Sequence, residues 1–430
     1  MNWLKTTFAA LAVRDFRVLW LGGLGSFVAF FMAMIVQSVV AFEISGSNRA
    51  VGTVVFAQGF AMAALGPIGG AFADRWPKRR VIATAQSVSA ATFVSLAVLV
   101  ATQRITLPLL ALGALLVGGT LAFLGPARQG LVVDLVPLER RGNAMAITNI
   151  ANTAARVVGP ALAGLLLSLE ASGPVGAYLV MASLYLGSAL SLLALPRSVV
   201  RDGAREEAML ADVLAGIRYV AGHRRLRLLV ALFVTVILTG FPHVTILPGL
   251  AENVLGRDSH DISLLLATSA CGALAASLLV ARFGDSPRAH LIFIAHGALF
   301  GVALLAVALA PGYLAVAGAM FFIGAGSGGF QSLNASVIAR YTEPAYIGRV
   351  MSLVILAFAG FGLMALPYGA LADFVGERPT LLTMGAVVLS LCGLLGALLV
   401  REERDGSVLG AAPPGEPARP ATARATDRRA

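Results

Sequence analysis

Asn149, Asn152 and Arg156 recur at spacings of three and four residues in the stretch AITNIANTAARVVGPALAG. On a helix that spacing gathers two amides and a guanidinium into one stripe, a set of groups able to hold an anionic or strongly polar ligand. The surrounding run is apolar, and an arginine at the centre of a membrane helix costs about 2.5–3.5 kcal/mol to insert. Arg156 should therefore face protein or a water-filled cavity. There it either receives part of a ligand or serves as a structural cation bonded to carbonyls and other helices.

Carboxylates come next. GGAFADRWPKRR, residues 69–80, packs Asp74 together with Arg75, Lys78, Arg79 and Arg80 in a chain that is only 13% charged. A carboxylate at the very end of an apolar run, after a glycine pair that permits close helix approach, can meet a cation or the positive N-terminus of a neighbouring helix. Glu43 and Asp373 stand at the ends of two other apolar runs, where each is either a proton-exchanging group or an ordinary interfacial residue.

Phe27, Phe30, Phe31, Met34, Gln37 and Ser38 share one face of the first run, and Phe56 and Phe60 one face of the second. Aromatic walls with few polar groups suit a bulky amphipathic ligand, although such stripes also serve packing or face lipid. His243, beside Pro242, either lines the same cavity or bonds a carbonyl that the proline frees.

Signs of enzyme chemistry are missing from the sequence. It holds no HExxH or GxSxG motif, and its two lysines, Lys5 and Lys78, follow Leu4 and Pro77 rather than the glycine of a nucleotide-binding loop. His290 and His296 do not share a helix face, and Asp258, His260 and Asp261 read as a solvated loop. No catalytic residue, metal site or cofactor is expected. Cys271 and Cys392 both fall in apolar runs, as small buried hydrophobes without a disulfide.

The elements that must position these groups follow from composition. Of 430 residues 58% are hydrophobic, 47 are glycine, and the mean hydropathy is +0.85, outside the range of soluble enzymes. Apolar runs of about 20 residues, each long enough to cross a bilayer core of roughly 30 Å, fall at 18–42, 51–73, 81–101, 105–124, 144–169 and 175–195, then at 228–250, 262–281, 289–310, 313–339, 350–372 and 379–400. The sequence thus predicts an all-α membrane protein of twelve transmembrane helices. The first run is too long for the apolar part of a signal peptide and is expected to be retained.

Cationic residues set the orientation, because loops kept in the cytoplasm carry an excess of Lys and Arg. With both termini cytoplasmic, all but five of the 32 fall on inside segments; Arg49, Arg104, Arg257 and Arg378 lie on outside loops and Arg156 within a span. The net charge of +10 is then topological and implies no nucleic-acid partner. The expected organisation is a six-helix bundle over 1–195, a cytoplasmic linker over 196–227, a second bundle over 228–400 and a disordered tail over 401–430. Leu210, Val213, Leu214, Ile217 and Val220 give the linker one apolar helix face suited to the membrane surface. An offset of 206 or 207 residues aligns Gly142 and Met145 with Gly348 and Met351, Arg75 with Arg282, and Pro160 with Pro367. Such a repeat fits two bundles related by an axis along the membrane normal.

GGAFADRWPKRR resembles the loop motif between spans two and three of the major facilitator superfamily. GPARQGLVVDLVPLERRGNAM at 125–145, RVVGPALAGLL at 156–166 and GALADFVGERPTLL at 369–382 extend the resemblance to an exporter branch that includes enterobactin exporters and macrolide efflux proteins. It covers about 14–401. The resemblance implies two bundles rocking around a central cavity, with gating residues at Gly70, Asp74, Arg75 and Arg79, at Arg128 and Asp134 near the end of span four, and at Gly159 and Pro160 in an antiporter-like span-five motif. Trp76 and Pro77 depart from the loop motif, and Ala281 stands where a second Asp74 would fall, so the gate is expected to be asymmetric. Phe30, Gln37, Asn149, Asn152, Arg156 and His243 are the expected cavity residues, and Glu43 and Asp373 the carboxylates available for proton coupling.

The leading expectation is a secondary-active exporter of small amphipathic molecules such as siderophores or antibiotics, proton-coupled, in the plasma (inner) membrane, with no oligomer required. A nutrient symporter or uniporter fits the same fold. A non-transporting receptor or scaffold would gain little from Asp74 or Arg156.

Overall fold

The computed structural model describes residues 9–169, 173–196, 209–258, 261–281, 283 and 286–408. Twelve helices are long and apolar enough to cross a membrane, and the described residues form no strand. Spans 1 to 6 are Arg14–Ser45, Asn48–Arg75, Lys78–Ala101, Leu107–Leu135, Arg141–Leu167 and Gly173–Ser191. Span 7 starts as Arg224–Thr235, and spans 8 to 12 are Ile262–Ala281, Ala289–Leu309, Tyr313–Arg340, Ile347–Val375 and Glu377–Val408. The last helix runs past residue 400, where a disordered tail was expected to begin. Arg401, Glu402, Glu403 and Arg404 are good helix formers and extend it; residues 409–430 lie outside the described residues, as do Arg282 and residues 197–208 of the linker.

Within the first six spans, 2 packs on 4, 3 on 4 and 6, and 1 on 5 and 6; within the last six, 8 packs on 10, and 9 on 10 and 12. The two bundles meet where span 2 lies along span 11 and span 5 along span 8. Small residues make the seam: a Cβ on Gly52 would sit 2.6 Å from the Ala365 carbonyl oxygen, and one on Gly362 would sit 2.6 Å from the Gly59 Cα. Backbones can approach this closely only without side chains between them. Outward faces carry exposed leucines such as Leu278, Leu309 and Leu314, suited to lipid.

Six spans per bundle return the chain to the side it left, so the start of span 1, the end of span 12 and the linker helix share one end of the molecule, called here the linker end. The linker helix, Met209–Gly222, docks on the second bundle. Tyr219 stacks on Tyr346 at 4.1 Å and its hydroxyl accepts the Glu343 N–H at 3.1 Å. Leu214 and Ile217 stay exposed, while Leu210 and Val213 have side chains outside the described residues.

Spans 1 and 7, equivalent in the repeat, differ. Span 1 is an unbroken α-helix. Span 7 passes through a π turn at Val236–Gly240, a 3-10 turn at Phe241–Thr245, the short helix Leu247–Gly249 and a second π turn at Leu250–Val254. Pro242 and Pro248 have no N–H to close the α ladder. Side chains bond two carbonyls of this irregular stretch: His243 Nδ1 meets the Gly240 oxygen at 2.8 Å, and the Thr245 hydroxyl donates to the Pro242 oxygen.

Candidate functional site

Arg156 lies roughly 22 Å along span 5 from its linker end, at about 1.5 Å per residue. Its Nη1 donates to Gln331 Oε1 of span 10 at 3.0 Å, and its Cζ lies 5.4 Å from the centre of the Phe31 ring of span 1. Arg156 is exposed, and its two contacts, with span 10 and with span 1, place it where the bundles face each other. Span 1 can come so near because of Gly159, where a Cβ would stand 2.7 Å from the Phe31 Cβ. Pro160, inside the helix, lacks only a ladder donor.

Asn149 is exposed and Asn152 half-buried on the same helix. Phe30 sits edge-on to Phe31 at 5.1 Å. Gln37 is buried, and its Nε2 meets no acceptor among the described residues. His243 is buried too, its ring edge-on to Phe300 at 5.7 Å. Gln331 escaped the sequence reading, although a glutamine inside the apolar run of span 10 was a visible signal.

The loop after span 2 is bound to its own bundle. Lys78 Nζ meets Asp134 Oδ2 of span 4 at 2.6 Å. Arg79 donates from Nη2 to the Leu193 oxygen at 3.1 Å and from Nη1 to the Leu195 oxygen at the end of span 6. Arg75 is exposed. Gly70 and Asp74 fall in the last turns of the span-2 helix, with side chains outside the described residues. Arg128 is buried in span 4; its Nη2 donates to Ser26 Oγ at 2.7 Å and its Cζ lies 4.8 Å from the Phe27 ring centre. It borders a small pocket shared with Trp20 and Thr148, whose lining residues all belong to the first bundle and do not include Arg156.

The other end holds the two carboxylates. Glu43 is exposed in the last turn of span 1. Asp373, in the last turn of span 11, accepts three hydrogen bonds from the start of span 2: Asn48 N–H at 2.8 Å, Arg49 N–H at 3.0 Å and the Ser47 hydroxyl at 2.5 Å. Among the described residues, no three His, Cys, Asp or Glu gather as metal ligands.

Two six-span bundles joined along spans 2 and 11, with an arginine bonded across them, fit a membrane carrier. The sequence matches the Major Facilitator Superfamily over residues 19–359. The chain belongs to that superfamily. This major facilitator is 20% identical to macrolide efflux protein A of Streptococcus pyogenes over 375 residues, 85% of this chain and 92% of the relative. Its fold is similar to a bacterial homologue of the human lysosomal transporter Spinster in an inward-facing, occupied conformation, with a TM-score of 0.71 and 14% identity over 89% of this chain and 95% of the other. It is equally similar to the nucleoside transporter NupG, with a TM-score of 0.70 and 14% identity over 89% and 99% of the two chains. The protein is a multi-pass membrane transporter.

Proposed function

We propose that this major facilitator exports a small amphipathic molecule bearing an anionic or strongly polar group, such as a siderophore or an acidic antibiotic, by alternating access. The reading rests on the tie between Arg156 and Gln331. A guanidinium held by a neutral amide across the two bundles has only a weak partner, and a substrate carboxylate or catecholate oxygen forms a stronger, charge-assisted bond with it. Phe31 and Phe30 supply the apolar wall beside it. The distant relationship to a macrolide efflux protein favours export over uptake.

Protons are the coupling ion we favour, because the chain carries no nucleotide-binding loop. A proton entering down 100 mV yields about 2.3 kcal/mol, enough for a substrate gradient of roughly fifty-fold. The arginine bias of the linker-end segments favours a plasma-membrane orientation with both termini cytoplasmic.

The test is accumulation of a catecholate siderophore, a macrolide, a tetracycline and a cationic dye in efflux-deficient cells, comparing wild type with Asp74→Asn, with and without a protonophore. Lower accumulation of an acidic compound in wild type, restored by both the mutation and the protonophore, is the expected result. Lower accumulation of the cationic dye alone would overturn the role given to Arg156. No difference across the panel would overturn export.

A further inference from the structure

Away from the linker end, two carboxylates fasten the bundles together. Asp373 closes the last turn of span 11, and its two oxygens take the N–H groups of Asn48 and Arg49 and the hydroxyl of Ser47. The first N–H groups of a helix have no partner within it, so a carboxylate from another element that takes two of them ties the two helices directly and is favoured by the helix dipole. Glu377, the first residue of span 12, is buried, and its Oε1 accepts Asn48 Nδ2 at 3.0 Å and Asn253 Nδ2 of span 7 at 2.7 Å. Asn48 thus bonds Asp373 through its backbone and Glu377 through its side chain.

The surrounding backbone is shaped for this junction. Gly46 at φ +62° turns the chain from span 1 into span 2, and Gly376 at φ +96° turns span 11 into span 12; both lie in the left-handed region that favours glycine. A Cβ on Gly249 would fall 2.6 Å from Glu377 Oε1, so the irregular end of span 7 leaves room for the carboxylate. One on Gly369 would collide with the Asn48 carbonyl oxygen.

We infer that Asp373 and Glu377 form a latch that holds this end of the transporter shut and sets the balance between its two access states. Asp373 is the principal bolt, because all three of its bonds cross between bundles and all must break before spans 2 and 11 can part. Glu377 secures Asn48 from beneath and brings span 7 into the same junction. The inference requires alternating access but no particular substrate, ion or direction, so it stands or falls apart from the export reading.

The test is the distance between spin labels on the full-length protein in lipid nanodiscs, with Cys271 and Cys392 replaced by alanine. One pair, at Arg104 and Asp258, reports the latch end; a second, at Leu138 and Arg288, reports the linker end. All four positions are exposed and outside the latch. Asp373→Asn keeps the shape but presents an N–H₂ group to one of the helix N–H donors. It should raise the ratio of open to closed molecules at the latch end by roughly tenfold, the effect of losing about one charge-assisted hydrogen bond. The linker-end pair should shorten in the same molecules. Ser47→Ala, which spares the carboxylate, should give a smaller shift in the same direction, and Glu377→Ala should add to Asp373→Asn. Unchanged distances in folded, monodisperse Asp373→Asn and Ser47→Ala would overturn the latch. So would opening at the latch end without shortening at the linker end, which marks a loosened junction rather than a gate.

Discussion

The two bundles divide their labour unequally. The first carries the charge: Arg128 and Arg156 lie inside its spans, and Lys78, Asp134 and Arg79 knit its linker-end loop to spans 4 and 6. The second carries the irregular backbone. Span 7 changes helix type four times where span 1 never does, and the residue in span 10 at the repeat position of Arg128 is the neutral, buried Asn334. An arginine in a membrane span faces the bundle interior or a water-filled cavity, which suits regular helices that hold it in place. A proline-broken helix releases carbonyls that side chains or ligands must satisfy, which suits an element that moves. The difference points to a rigid, charged bundle facing a more deformable partner.

The largest test of that contrast is the loop carboxylate. Asp74→Asn should abolish transport while the protein still reaches the membrane, whereas Ala281→Asp, which restores the missing copy in the second bundle, should leave transport near normal. Transport measured in cells with surface biotinylation checks both. Near-normal transport by Asp74→Asn would remove the asymmetry of the gate.

Next comes Arg156. Arg156→Ala should weaken binding of an acidic substrate by about ten- to a hundred-fold, the worth of a charge-assisted hydrogen bond, and Arg156→Lys should recover part of it. Gln331→Glu should compete with the substrate by pairing with Arg156 and weaken binding in the same direction. Equilibrium binding to purified protein decides, and unchanged affinity in Arg156→Ala would reduce that arginine to a structural cation.

A smaller effect is expected from the irregular helix. A Cβ on Gly240 would lie 2.5 Å from the Phe300 ring, so Gly240→Ala must push that ring aside and should cost about 1–3 kcal/mol, read as a lowered Tm. An unaltered Tm would mean that span 7 has slack to absorb it. The smallest effect belongs to the pair between Lys78 and Asp134. It is partly exposed, and Asp134→Asn should change stability by no more than about 1 kcal/mol. A larger loss would make that pair a cornerstone of the first bundle.

Much of the molecule was legible in the sequence. Twelve apolar runs gave twelve membrane helices because bilayer thickness and helical rise set their length. The stripe of Asn149, Asn152 and Arg156 follows from helical periodicity alone. Pro242 was visible as a proline within a span, but not that it and Pro248 would recast span 7 as π and 3-10 turns. Asp373 was visible as a carboxylate at the end of a span, but its three donors were not. Glu377 sat inside a quoted motif without standing out, since nothing local distinguishes a buried carboxylate from a solvated one.

By itself, then, the sequence determined the spans, the shared end of the termini and linker, and the residues able to do chemistry. These depend on properties of contiguous residues: hydropathy, period and charge bias. Tertiary structure alone decided the pairings. Gln331 reaches Arg156 across 175 positions, and Asp373 reaches Asn48 across 325. A hydrogen bond needs two groups within about 3 Å in a defined orientation, and for groups so distant in the chain only the packing of the two bundles brings that about.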